Sequence, residues 1–281
     1  MILCVDLQTI NYFQILNMKK STTLSLIMTF ALLVMSGCNE KKSEPVSPDT
    51  PDTPSSDEYV TDICGNKYKI VKIGDQYWMA ENLRSNKYDT QSGREGAEID
   101  ILSYKDPKSA MYAPYCVNAS EKNNWENQDY VTEELLPQIE KFGYLYNWAA
   151  AVGLEDENAA KQDKPFEGNR QGICPNGWHI PSETEFKTLL NFCGSDAGKK
   201  LRTTSGWYKE NGTDEYSFAA LPAGSANGSE AYNIGCGATF CSATPNGQSG
   251  TLVLEFNTDY INFGLSAFGK NYAFAVRCVK N

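Results

Sequence analysis

The chain has a single histidine, His179, inside the stretch GICPNGWHIPSETEFKTLLNFCG, Gly172 to Gly194, with Cys174, Glu183, Glu185 and Cys193 around it. Histidine beside carboxylates is equipment for proton transfer. Histidine with cysteines is equipment for zinc. The spacing fits neither chemistry. No Cys-x-x-Cys occurs, His179 is not spaced with any cysteine like a zinc site, and no second histidine can assist it. Ser182-Glu183-Thr184-Glu185 reads instead as a capping box, in which the serine side chain caps a helix and Glu185 reaches back. Phe186, Leu189, Leu190 and Cys193 follow at i, i+3, i+4 and i+7, so the spacing predicts an amphipathic helix that Gly194 stops. Trp178-His179-Ile180 before it predicts an extended segment, with Trp178 and Ile180 on one side and His179 on the other, ended by Pro181. On this reading His179 and Glu185 serve the fold, and no residue is assigned a catalytic role.

Other reactive types are equally unarranged. Glu255 and Asp259 fall in no calcium motif, which would need several oxygen ligands. Thr244-Pro245-Asn246-Gly247 reads as a turn. There is no nucleophile elbow and no phosphate loop, so no metal and no cofactor is expected. A hydrolase or other modifying enzyme stays open as an alternative, because paired acids meet in space and not in sequence.

Residues 224–272 differ in composition. Tyr232, Phe240, Tyr260, Phe263, Phe268 and Tyr272 lie there among Asn, Ser and Gly, a mixture suited to adaptable recognition surfaces. About half of these six are expected to fill the core. Tyr232, Tyr260 and Tyr272 are the ligand-binding candidates.

The rest of the chain must carry and position these residues. Met18-Lys19-Lys20 is basic, Leu24 to Met35 is apolar except for Ser25 and Thr29, and Met35-Ser36-Gly37-Cys38 follows. That order describes a signal peptide over residues 1–37, too short to span a membrane, with Met18 as the expected true start. Small residues directly before Cys38 resemble a bacterial lipobox, which makes Cys38 the lipid-attachment residue. Residues 39–57 are rich in Pro, Ser, Thr, Asp and Glu and hold one aliphatic residue, Val46. Such a segment cannot bury enough apolar surface to fold, so 38–57 is expected to be a lipidated tether with a reach of about 60 Å. The protein is therefore expected in the cell envelope, lipid-anchored at the outer membrane.

The chain carries a net charge of −10, and removal of residues 1–37 makes it one charge more acidic. That excludes nucleic acid as a partner, since binding it takes lysine and arginine. Anionic headgroups also repel it, so the membrane is reached through the lipid only. The expected partner is a glycan, a protein or another envelope ligand.

Nine cysteines in an exported chain point to an oxidising compartment. Beyond Cys4 and Cys38, an odd seven remain: 64, 116, 174, 193, 236, 241 and 278. At least one is free or pairs outside the chain, and spacing alone does not choose the bridges.

Residues 58–281 are expected to be one domain. Tyr68–Ile73, Gly74-Asp75 and Gln76–Met79 predict a hairpin with a two-residue turn. Residues 118–142 read as a polar insertion with a weak helix around Leu135, Leu136 and Ile139. YLYNWAAAVG, Tyr144 to Gly153, predicts a short helix with Leu145, Trp148, Ala149 and Val152 on one face. GTDEYSFAALPAG predicts a strand with Phe218 and Ala220 on one face, then a turn at Pro222-Ala223-Gly224. GATFCSAT, GTLVLEF and YAFAVRCVKN predict further strands. Strands around two short helices make an α+β class, mainly antiparallel with long loops.

Several stretches carry a family resemblance in order: VTDICGNKYKIVKIGDQYWMAENLRSNKYDT, YLYNWAA, CPNGWHIPSETEFKTL, GKKLRTTSGW, FAALPAG and AVRCVKN. Together they resemble the Fibrobacter succinogenes major paralogous domain, found in exported lipoproteins of Bacteroidetes and Fibrobacter, over residues 59–281. Trp178–Leu190 and Val276–Val279 also look like the core of C-type-lectin-like domains and formylglycine-generating enzymes. The resemblance implies a C-type-lectin-like domain with long loops on one side. Within it, Cys174 and Cys278 are the first disulfide candidates. Cys241-Ser242 departs from the family's usual tryptophan and serine, and Cys64 and Cys193 look like additions. The enzyme's reactive cysteines sit in an arginine-flanked setting, whereas no arginine lies between Arg202 and Arg277 here, and reactive thiolates need positive surroundings. The expected function is a lipid-anchored binding or adhesion module acting through carboxyl-terminal loops. A structural part in a cell-surface assembly is the other alternative.

Overall fold

A computed structural model of the chain describes residues 58–101, 111–114, 140–227, 230–257 and 263–281. All belong to one compact unit, Ser56–Asn281. The signal segment, Cys38 and its tether, Cys116, Asp259, Tyr260 and the 118–142 insertion up to residue 139 lie outside the described residues.

Two sheets organise the unit. The first holds β1 (Tyr59–Thr61), β2 (Lys67–Ile73), β3 (Gln76–Met79), β7 (Trp178–His179) and β14 (Val279–Lys280), in the order β1-β2-β3-β14-β7. The second holds β4 (Asp100–Ile101), β5 (Met111–Pro114), β6 (Tyr144–Asn147), β10 (Gly237–Asn246), β11 (Gly250–Asn257), β12 (Phe263–Gly269) and β13 (Tyr272–Ala275). Its order is β12-β11-β10-β13-β6-β5-β4, with β8 (Ser225–Asn227) joining β13 to β9 (Glu230–Tyr232). Pairing is antiparallel except at β10 with β13 and β4 with β5. Among the described residues four short helices accompany the sheets: α1 (Trp148–Val152), α2 (Asp156–Lys161), α3 (Glu183–Cys193) and α4 (Ala197–Leu201). The class is α+β, as expected. Two helices beyond the expected pair, α2 and α4, are too short to show a period in sequence. No helix among the described residues is long and apolar enough to cross a membrane.

The hairpin β2–β3 forms as predicted, with Ile73 opposite Gln76 and Gly74 at φ 60°. A side chain at Gly74 would be strained, and its Cβ would come 3.0 Å from the Phe192 ring. Helix α3 follows its pattern. Ser182 and Glu185 form the full capping box, and Phe186, Leu189 and Cys193 are buried.

Two expectations need correction. Tyr144–Asn147 is strand β6, and the helix is only the five residues of α1. Asn147 ends the strand and caps α1 by accepting from the Ala150 N–H, so one polar side chain divides a uniformly apolar run. All five α1 residues are buried, so no single face exists. The second correction is FAALPAG, which is a loop. Asp214, Ser217 and Ala219 adopt φ of 48°, 55° and 52°, left-handed conformations that cost energy for any residue but glycine.

Arg277 explains how that loop is held. Its guanidinium is fully buried and donates to Asn82 Oδ1 at 2.8 Å, to Ala219 O at 2.8 Å, and to Phe218 O and Met79 O. It also lies over the Phe218 ring, 4.7 Å from the centroid. Burial pulls its pKa down to about 9, while Glu81 and Asp214 act to raise it. At neutral pH the group stays cationic and bridges the two cores.

One core gathers Trp148, Tyr68, Tyr88, Tyr146 and Trp178. The other gathers Trp78, Phe186, Phe218, Phe240 and Phe256. Cys174, just before β7, is bonded to Cys278, just before β14, across a separation of 104 residues. The pair implied by the family resemblance is bonded.

Candidate functional site

His179 lies on β7 opposite Val279 of β14 and is buried, as are Trp178 and Ile180 on either side. Its Nε2 is 2.7 Å from Glu185 Oε1, and its Nδ1 is 2.7 Å from Asn281 Oδ1. Glu185 Oε2 accepts from the Ser182 N–H and Oγ–H, each at 2.8 Å. Burial acts to raise the Glu185 pKa, but the bonds from His179 and Ser182 outweigh it and hold the carboxyl below its ordinary value. The ionised carboxylate only accepts, so Nε2 carries the proton between them.

A cleft of about 50 Å³ opens beside this pair, lined by Phe166, Arg170, Ser182 and Thr244 among others. It has room for a few waters. Several of its polar groups are already engaged. Arg170 donates to Val152 O and Gly153 O and stacks over Phe166, and Thr244 Oγ1 accepts from the Glu183 N–H at 2.9 Å. A general base must reach a substrate proton. The His179 side chain is 3% exposed with both nitrogens occupied, which leaves it no such reach.

The two buried thiols are no better placed. Cys241 is buried and its pKa is pushed up to about 12 by burial alone. Burial pushes Cys193 up to about 11. Neither is a thiolate at neutral pH. Among the described residues no group of three or more His, Cys, Asp or Glu side chains could hold a metal. Thr244 to Gly247 belongs to the β10–β11 hairpin, with Asn246 opposite Gly250 and Gly247 at φ 70°.

The carboxyl-terminal aromatics give a different picture. On β13, Tyr272 stands opposite Asn227 of β8, and Ser225 of β8 stands opposite Tyr232 of β9. Because strand side chains alternate, this register puts Tyr272, Asn227 and Tyr232 on one face. The Tyr232 and Tyr272 rings approach to 6.3 Å between centroids, tilted by 39°. Tyr272 stacks in turn on Phe274 at 6.3 Å and 8°, and meets Phe268 edge-on at 5.7 Å. The row runs from solvent to core: Tyr232 is 37% exposed, Tyr272 is half-buried and Phe274 is fully buried. Beside it, the Asn271 Nδ2 donates to Asn227 Oδ1 at 2.9 Å.

Two of the three tyrosines expected to bind ligand are thus brought together across 40 residues of chain. Tyr260 lies outside the described residues. Phe240 is core. The Asn227–Asn271 pair and the buried footing on Phe274 were not anticipated. The alternation in Tyr272-Ala273-Phe274 was the available signal for the footing, whereas the asparagine pair depends on a strand register that no local pattern announces.

Compared with known proteins, residues 71–280 match the sequence model of the Fibrobacter succinogenes major domain. No curated protein and no solved structure matches the chain.

Proposed function

The chain belongs to the Fibrobacter succinogenes major domain family, which brings no assigned activity, and on that premise we propose that it is an exported binding module. It is anchored by lipid at Cys38, held off the outer membrane by residues 39–57, and engages an envelope or extracellular ligand through the Tyr232–Tyr272 surface. The same proposal reads the fold as C-type-lectin-like, supported by two sheets with short helices and a bridge that closes the last strand onto the turn before β7.

One observation carries the binding reading. Tyr232 and Tyr272 meet on one sheet face, with the outer ring 37% exposed and the inner one packed against the core. An aromatic left partly in water costs hydration free energy that burial against a partner recovers. The acid–base and thiol groups described above are instead committed to capping, to packing or to burial. The test pairs a thermal melt with a binding assay for Tyr232→Ala and His179→Ala in the full chain. Loss of binding in the first without loss of melting temperature supports the reading. A folded His179→Ala chain that loses all binding would move the site to the cleft beside Glu185.

A further inference from the structure

Resting on that reading of the Tyr232–Tyr272 surface, we infer that its ligand is an uncharged, hydroxyl-rich chain, a neutral glycan. The argument starts from charge. Across β8, β9 and β13 the sequence is Ser-Ala-Asn, Glu-Ala-Tyr and Tyr-Ala-Phe-Ala, so Glu230 is the one charged residue of the three strands. Lys270, next to the site in sequence, is committed elsewhere: its Nζ donates to Ala159 O at 2.9 Å and Gln162 O at 2.6 Å, and it lies 4.2 Å from the centroid of the Trp148 ring. An anionic chain would therefore meet an acidic position and a net charge of −10, and none of the described residues of these three strands is a cation to pair it.

The polar groups beside the rings are planar amides. The bond between Asn271 and Asn227 uses one donor hydrogen of the first and one lone pair of the second. By inventory each amide keeps at least one donor and one acceptor site. A sugar hydroxyl is donor and acceptor at once, which matches an amide pair. A pyranose ring also presents a face of C–H bonds, and that apolar face packs on an aromatic ring while the equatorial hydroxyls reach sideways. The exposed Tyr232 ring with amides at its flank provides both halves. A protein ligand calls for a patch of about 800 Å² with aromatic anchors entering pockets. Here one exposed ring, Tyr232, leads inward to half-buried Tyr272 and buried Phe274.

Gly269 adds a steric detail. A Cβ there would come 2.5 Å from Asn271 Oδ1 and 3.5 Å from the Tyr272 ring. Gly269→Ala therefore displaces the Asn271 amide without removing it, while its approach to the Tyr272 ring is ordinary contact.

The experiment is affinity electrophoresis and calorimetry of the full chain in detergent, with dextran, xyloglucan, mannan and mixed-linkage β-glucan as neutral probes. Polygalacturonate serves as the anionic probe, chitosan as the cationic one and gelatin as a protein. The expected result is binding to at least one neutral probe, unchanged between about 0.05 and 0.5 M NaCl. Tyr232→Ala, Asn271→Ala and Gly269→Ala should each weaken it, the first by about tenfold, with melting temperatures retained. Binding confined to polygalacturonate, chitosan or gelatin but still lost in Tyr232→Ala would overturn the neutral-glycan inference and leave the site standing. Neutral-glycan binding indifferent to all three variants would overturn the site itself. Binding to none of the probes would overturn the glycan inference.

Discussion

The Glu185 carboxylate joins two structures at once: it lies 2.7 Å from His179 Nε2 and also closes the capping box on Ser182. The β7 strand and the α3 helix are thereby tied through one ionised group. Its pKa is lowered in the folded chain, so its contribution to stability is present above the ordinary value of 4.5. That contribution is lost as pH falls through the lowered folded value. Urea midpoints should therefore drop as pH goes from about 4.5 downward, and Glu185→Gln should flatten that drop. Equal slopes for both proteins would show that Glu185 does not titrate with folding.

The cap itself is testable without touching the histidine. Ser182→Ala removes the side-chain acceptor for the Glu185 N–H, 3.3 Å away, and one donor to its carboxylate. The expected loss is about 1 kcal/mol by urea denaturation. Trp178→Ala in the buried strand beside it should cost about 3–5 kcal/mol. A reversal of that order would show that the helix end outweighs the core here.

The Cys174–Cys278 bond closes a loop spanning 104 residues of sequence and fixes the turn before β7 to the segment before β14. Cys174→Ser is expected to cost about 2–5 kcal/mol. Unreduced peptide mapping of the exported protein should recover the two cysteines in one linked species. Finding both as free thiols would remove the bridge from the account of stability.

What could be read along the chain was whatever depended on neighbours. The β2–β3 hairpin and α3 each carry their own signals, an alternation around Gly74-Asp75 and a capping box before a helical stripe. FAALPAG defeated the same reasoning because Phe218 and Ala220 alternate like a strand, while the backbone between them is held left-handed by Arg277, 58 residues beyond Ala219. YLYNWAAAVG failed for a related reason: apolar residues on both sides of Asn147 hide a change from strand to helix. The candidate site was legible as composition only. Tyr232 and Tyr272 stood out as aromatics among small polar residues, but their meeting depends on β8 lying between their strands.

Lipid attachment belongs to the sequence reading and is tested in cells. Cys38→Ala should move the protein from the membrane fraction to the soluble exported fraction. Retention in the membrane fraction would refute the lipobox reading.

Arg277 offers the sharpest test of how the fold supports its loops. It is fully buried, and four oxygens from distant segments, those of Asn82, Met79, Phe218 and Ala219, converge on its fork. Arg277→Met would leave those carbonyls buried without a donor, and Arg277→Lys would supply a point charge that cannot span them. Each substitution should cost about 3–5 kcal/mol, the range for a buried charge network broken from one side. Replacing Ala219, at φ 52°, by glycine should have the opposite sign, because it removes the left-handed strain that the arginine holds in place. In the Arg277→Lys background, Ala219→Gly should recover part of the loss. The measurement is a double-mutant cycle of urea denaturation. If the two substitutions prove additive, the strain at Ala219 is independent of Arg277 and the arginine acts on packing alone.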